Sequence, residues 1–132
     1  MTLDNAEIIR RAMHRVTEQG VEAAVADLYA DDAVMYGVEG WPEAGPWHGR
    51  SAILDEWRRI GEDFEQQEML VEEVVAQGDW VVTRTRWRVR SRSGFPGEVA
   101  SSLAARMRDG KVVEARFFWD FADALRVAGI AE

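Results

Sequence analysis

From Trp80 to Arg92 the chain reads Trp-Val-Val-Thr-Arg-Thr-Arg-Trp-Arg-Val-Arg-Ser-Arg, and no other segment constrains the fold as much. A period of two belongs to an extended strand, whose successive side chains point to opposite faces. Val81, Thr83, Thr85, Trp87 and Val89 share one face; Arg84, Arg86, Arg88, Arg90 and Arg92 share the other. Desolvating five guanidiniums without partners is prohibitive. The arginine face must therefore meet water or acidic side chains, and the Thr/Trp face must point into the protein.

The neighbouring segments repeat the pattern. Met69 to Ala76, Val99 to Met107 and Val112 to Trp119 read as strands, separated by Gly78-Asp79, by Ser93-Gly94-Phe95-Pro96-Gly97 and by Asp109-Gly110. The Asp-Gly pair is a strong hairpin signal. Val99, Ser101, Leu103, Ala105 and Met107 alternate against Glu98, Ala100, Ser102, Ala104 and Arg106. In the last strand Val113, Ala115, Phe117 and Trp119 alternate against Val112, Glu114, Arg116 and Phe118. The inner faces are apolar and aromatic, with Thr83, Thr85 and Ser101 supplying the only hydroxyls. Glu72, Glu73, Glu98 and Glu114 are placed to pair with the arginines across the sheet.

The first half is helical. Asp4 and Glu7 resemble a capping box, and Ile8/Ile9, Ala12/Met13 and Val16 recur at helical spacing up to Gly20. A second helix is expected from Val21 to Tyr29, a short strand from Ala33 to Gly37 after Asp31-Asp32, and a loop from Glu39 to Gly49 with three glycines and two prolines. A third helix, Arg50 to about Glu62, presents Ile53, Leu54, Trp57 and Ile60. Asp120 reads as the N-cap of a last helix, with Leu125 inward and Gly129 as its stop. The order ααβαββββα with consecutive hairpins implies an α+β fold: one curved antiparallel sheet with the helices on one face.

With 132 residues the chain fits a single domain spanning 1–132. It has no cysteine, which excludes disulfides, thiolate catalysis and thiolate metal sites. Its formal net charge of −8 disfavours nucleic acid and anionic membrane as partners despite the arginine series, and no aromatic alternates with those arginines to stack bases. The first residues lack the pattern of a signal peptide, and no apolar run approaches the ~18 residues that span a bilayer, so a cytoplasmic protein is expected. Two well-separated histidines, His14 and His48, offer no metal-ligand spacing, and no cofactor is expected.

Four segments together resemble a known family: Tyr-Ala-Asp-Asp-Ala-Val at 29–34, Gly-Pro-Trp-His-Gly-Arg at 45–50, Arg-Asp-Gly-Lys-Val-Val at 108–113, and the Trp119-Asp120 start of the last helix. They look like SnoaL-like proteins of the nuclear-transport-factor-2-like, or cystatin-like α+β barrel, superfamily. The resemblance runs from about Glu7 to Ile130. It implies an NTF2-like cone: a curved antiparallel sheet wrapped around three N-terminal helices, a short C-terminal helix, an inner pocket, and commonly a homodimer formed through the sheet. The fold hosts isomerases, cyclases, dehydratases, epoxide hydrolases and non-enzymatic binders alike. The ketosteroid isomerases among these relatives use a Tyr on the first helix, an Asp just after the first strand and an Asp on a later strand. The corresponding places here are Met13, Gly37 and Leu103, none of which can abstract a proton or hold an oxyanion. No inward carboxylate is found on the strand faces.

The expected ligand site is therefore an apolar pocket lined by Met13, Met35, Gly37, Trp41, Trp57, Thr83, Thr85, Trp87, Ser101, Leu103, Phe117 and Trp119, with Trp41 and Trp47 in the covering loop. It suits a small apolar or cyclic molecule. Those tryptophans equally well form a plain core. If the protein is a cofactor-independent isomerase, cyclase, lyase or hydrolase acting by acid/base chemistry, His48 is the candidate proton carrier and Tyr36 the hydrogen-bond donor. Against those roles, His48 suits a loop residue that orders its Gly-rich turn, and Tyr36 suits packing. A non-catalytic dimerisation module needs only the sheet surface.

Overall fold

A computed structural model describes residues 4–38 and 45–130 of the chain. Its elements are α1 (Asn5–Gln19), α2 (Val21–Val25), β1 (Tyr29–Tyr36), β2 (Trp47–His48), α3 (Arg50–Gly61), β3 (Phe64–Gln77), β4 (Trp80–Ser91), β5 (Pro96–Arg108), β6 (Lys111–Phe118) and α4 (Phe121–Val127). The strands form one six-stranded sheet in the order β2-β1-β6-β5-β4-β3. This is the expected α+β cone. All neighbours pair antiparallel except β1 and β6, which run parallel because the chain crosses from one side of the sheet to the other between them.

The alternation of β4 sets the two faces as read from the sequence. Val81, Thr83, Thr85 and Trp87 are buried, and α1 packs across this face through Ile9, Ala12, Met13 and Val16. On the other face the arginines pair with the carboxylates of adjacent strands: Arg84 with Glu73 (3.1 Å), Arg86 with Glu72 (3.5 Å) and Glu98 (3.1 Å), and Arg88 with Glu68 (3.4 Å). Asp4 caps α1, its Oδ1 accepting the Glu7 N–H at 2.8 Å.

Five expectations need correction. First, β1 begins at Tyr29, so α2 stops at Val25 rather than at Tyr29. Asp31 and Asp32 do not end a helix. They stand out from the β1–β6 ladder where its register shifts, and their exposed carboxylates reach Arg50 (3.8 Å) and Arg108 (3.0 Å). Second, Trp47–His48 is not loop but a short strand, pairing Val34 with His48 and Met35 with Trp47. Third, β3 starts five residues early, at Phe64; the polar run Glu65 to Glu68 is tolerated there because β3 is an edge strand.

Fourth, α4 does not join the other helices. Ala124, Leu125 and the following Ile130 cover Val82 and Ala104 on the outer face, where the arginine row gives way to apolar side chains. Asp120 occupies the N-cap position with extended backbone, but its carboxylate makes no capping hydrogen bond. Fifth, a register shift between Arg106 and Met107 opposite β6 turns Val112 inward, against the simple alternation, while Trp119 ends up 48% exposed.

Arg50 ties the start of α3 to the α2–β1 junction, donating from Nε to the Ala26 carbonyl (2.8 Å) and approaching Asp27 at 3.8 Å. Gly49 makes that junction possible. Its backbone sits at φ 90° and ψ 150°, a region open essentially to glycine, and its N–H donates to the Ala33 carbonyl at 2.7 Å.

Candidate functional site

The inner face of the sheet and the helices α1–α3 enclose a cavity of about 110 Å³. Met13 and Val16 reach it from α1, Tyr29 and Met35 from β1, and Glu56, Trp57 and Ile60 from α3. The sheet contributes Met69, Thr85, Trp87, Val99, Ser101, Leu103, Val112, Ala115 and Phe117, and Gly37, Val38, Trp47 and Trp119 border it. Three aromatic rings meet edge to face in its wall: Trp57 lies 6.4 Å from Trp87 and 5.9 Å from Phe117, at 85° and 71°. Phe64 then stands against Trp87 at 5.4 Å. These rings both fill and line the cone. They occupy much of its interior and leave a space somewhat smaller than the ~150 Å³ apolar void that accommodates benzene in an engineered core.

Of the expected lining residues, the structure brings together Met13, Met35, Gly37, Trp57, Thr85, Trp87, Ser101, Leu103, Phe117 and Trp119. Thr83 is corrected: it is wholly buried in the sheet's inner layer, with its hydroxyl unpartnered, and does not line the cavity. Trp41 lies outside the described residues. His48, the candidate proton carrier, is exposed on β2 and is not part of the cavity wall. Tyr36 also faces elsewhere. It lines an adjoining groove of about 340 Å³ with Arg116, Phe118, Asp120 and Asp123, and the Arg116 guanidinium stacks 4.3 Å from its ring centroid. Gly37, Val38, Phe117 and Trp119 border both spaces, but Tyr36 and Arg116 alternate with the inward Met35 and Ala115 and so stand on the other face of the sheet. A larger, open depression of about 970 Å³ lies between the end of α1 and strands β3–β5. Its charged lining includes Glu68, Arg88 and Glu98, already joined in ion pairs, which makes it a solvated groove rather than an enclosed site.

Two polar residues of the cavity wall escaped the sequence reading. Glu56 is 6% exposed and is held by Arg59, whose Nε and Nη2 donate to its two oxygens at 3.0 and 2.7 Å. The signal was present: Ile53, Glu56, Trp57 and Ile60 recur at i, i+3, i+4 and i+7, the spacing of one buried helix face. Tyr29 is 4% exposed, and its hydroxyl donates to the Met35 sulfur at 3.8 Å. Burial pushes its phenol up to about 12, and the Trp57 indole N–H, directed at the phenol oxygen, offsets part of that shift. Trp87, by contrast, has its N–H satisfied by Gln67 Oε1 at 3.2 Å, and Thr85 donates to the Ser101 carbonyl at 3.4 Å. Among the described residues no group of three His, Asp or Glu side chains is placed to hold a metal ion, and no helix is long and apolar enough to cross a membrane.

A curved sheet closed over helices around an apolar cavity is the architecture of the NTF2-like class. The SnoaL-like domain model matches residues 9–115, and the chain belongs to that family. No curated protein matches it significantly in sequence. Among solved structures, an NTF2-like protein of unknown function from Burkholderia pseudomallei is 17% identical, with a TM-score of 0.75 over 95% of this chain and 97% of that one. A protein with a ketosteroid isomerase-like fold from Catenulispora acidiphila, in complex with trimethylamine, is 17% identical, with a TM-score of 0.73 over 95% and 94% of the two chains. Rv0760c from Mycobacterium tuberculosis, in complex with estradiol-17β-hemisuccinate, is 18% identical, with a TM-score of 0.73 over 89% and 95%. At these identities the likeness defines the fold, not the reaction.

Proposed function

We propose that the chain binds a small apolar, ring-containing molecule in the cavity between α1–α3 and the sheet. The observation that carries this reading is the wall itself: side chains from nine of the ten elements, most of them aliphatic or aromatic, converge on one space, with few polar groups among them. Such a surface gains by desolvating an apolar ligand and offers little to a charged one. The relative crystallised with estradiol-17β-hemisuccinate holds a ring-containing ligand, whereas the space of about 110 Å³ here has room for a single small ring.

The test is a thermal-unfolding titration with toluene and with cyclohexanone. A ligand at about 100 times its dissociation constant adds about 2.7 kcal/mol of stability, worth several degrees in Tm. A concentration-dependent rise supports the reading; no rise with either probe up to the solubility limit overturns it.

A second reading, an acid/base enzyme acting on a hydrophobic cyclic substrate, is favoured by one observation. Glu56 puts a buried carboxylate on the cavity wall, where the strand faces supply none. In this reading Glu56 replaces His48 as the proton-transferring group. Loss of turnover in Glu56→Gln with unchanged ligand affinity supports it, and full turnover in that variant removes it.

We also propose that two copies pair through the outer face of the sheet. The interleaved arginines and glutamates there carry both signs and can complement a second copy of the same face. Sedimentation should show a dimer that loosens as salt rises; a monomer at every concentration counts against it.

A further inference from the structure

Most polar side chains of the cavity wall are already engaged. Glu56 is held by Arg59, the Trp87 N–H donates to Gln67, and the Tyr29 hydroxyl donates to the Met35 sulfur. The Trp57 N–H is sealed and directed at the Tyr29 oxygen, and Thr85 donates to the Ser101 carbonyl. The Ser101 hydroxyl differs. It lines the cavity, yet among the described residues it makes no hydrogen bond. Unlike the sealed hydroxyls of Thr83 and Ser102, it keeps accessible surface on a half-buried residue. The register sets it among the rings of the wall. Ser101 faces Thr85 on β4, which places Trp87 diagonally across from it; Phe117 pairs with Leu103 and is its diagonal neighbour on β6. Diagonal neighbours on one face of a sheet lie within reach of aromatic side chains. The β5–β6 ladder ends at Ser102, so no β6 strand residue covers Ser101 from that side.

Resting on the reading that the cavity binds a small cyclic molecule, we infer that Ser101 is the polar anchor of that site. The ring seats against Trp87 and Phe117, and one neutral oxygen substituent on it accepts the Ser101 Oγ–H. A ring ketone, ether or alcohol supplies such an oxygen. A hydroxyl that water can reach loses little by lacking a protein partner. A ligand that displaces that water without replacing its hydrogen bond leaves the serine hydrogen stranded, at a real cost. Ser101 thus discriminates mainly by penalising rings that bear no oxygen. The substituent is neutral because one hydroxyl cannot offset the desolvation of an ion, and the wall's carboxylate, Glu56, is already matched by Arg59. Trp87 is braced against Trp57 and Phe64, so the surface that orients the ring is set before any ligand arrives.

The test titrates cyclohexanone, cyclohexanol and methylcyclohexane, which match in size and differ in the oxygen, by calorimetry into the wild-type protein and Ser101→Ala. The expected result is a roughly threefold to tenfold loss of cyclohexanone and cyclohexanol affinity in the variant, with methylcyclohexane changed by no more than about twofold. A loss confined to the ketone also supports the inference and narrows the oxygen to a carbonyl. A loss confined to the alcohol overturns it, because Ser101 is then accepting a hydrogen bond and not donating one. In the wild-type complex the carbonyl stretch of cyclohexanone should lie below its value in hexane, and this infrared readout does not depend on the variant folding. If methylcyclohexane binds but its affinity relative to the ketone and alcohol is the same in both proteins and the stretch is unshifted, the inference fails while the apolar cavity stands. If none of the three binds the wild type, both readings fail together.

Discussion

Tyr29 is the residue at which burial and chemistry meet most directly. Its phenol is raised to about 12, mainly by desolvation, whereas an exposed phenol titrates near 10. The unfolded chain therefore releases this proton before the folded one does. The stability that Tyr29 supplies is complete below pH 10 and is lost as pH rises from 10 to 12, by roughly 2–3 kcal/mol. In a Tyr36→Phe background, which leaves Tyr29 as the sole phenol, phenolate absorbance should appear together with loss of near-ultraviolet circular dichroism. A phenolate that forms near pH 10 in a folded protein contradicts this burial. At the same scale, Glu56→Ala leaves the Arg59 guanidinium without its two charge-assisted bonds and should cost about 1–3 kcal/mol in denaturant unfolding. Both residues were within reach of the sequence in part. Glu56 falls on the periodic stripe of α3, but a charged residue there reads as solvated until a partner is seen, and Arg59 three residues on is an unremarkable helix pair. Sequence pattern extends the helix to Tyr29 because Asp31-Asp32 is a strong local break signal, and only tertiary pairing with β6 shows that the strand begins before it.

At the scale of elements, the strands that carry a clean two-residue period were legible to within a few residues, whereas the junctions were not. Register shifts explain most of the difference. Val112 turns inward because the β5–β6 ladder slips by one position, and no pattern in Lys-Val-Val-Glu announces which valine is displaced. The side on which α4 packs also differs from the expectation. Yet Val82 sits in the arginine register of β4, and an apolar residue there was a hint that something covers that end of the outer face. Leu125→Ala should therefore cost about 2–5 kcal/mol if α4 unfolds with the rest of the domain. Hydrogen exchange resolves this: faster exchange confined to 121–130 would mark α4 as a separately opening unit. At the α3 start, Gly49→Ala should cost of order 1–3 kcal/mol. The added Cβ meets the Asp31 carbonyl oxygen at an ordinary 3.6 Å, so the penalty comes from φ at 90° and not from a clash. A stability loss well below 1 kcal/mol would argue against this backbone geometry.

For the whole molecule, the two faces of the sheet make unequal contributions. The outer ion pairs join side chains that are mostly 35–60% exposed, so Arg86→Ala should cost less than about 1 kcal/mol in the isolated chain. Ile9, fully buried between α1 and the sheet, should cost about 2–5 kcal/mol as Ile9→Ala. The fold thus rests on its inner layer, and that same layer leaves a space of about 110 Å³ walled by Met13, Met35, Leu103 and the rings of Trp57, Trp87 and Phe117. The central claim is that this space receives a ligand. Intermolecular nuclear Overhauser effects from bound cyclohexanone to the methyl groups of Met13, Met35 and Leu103 test it most directly. The account predicts contacts to all three methyls, abolished by Ala115→Phe, which projects a ring into the space. A ligand that contacts none of them, or one that binds the filled variant equally well, contradicts it.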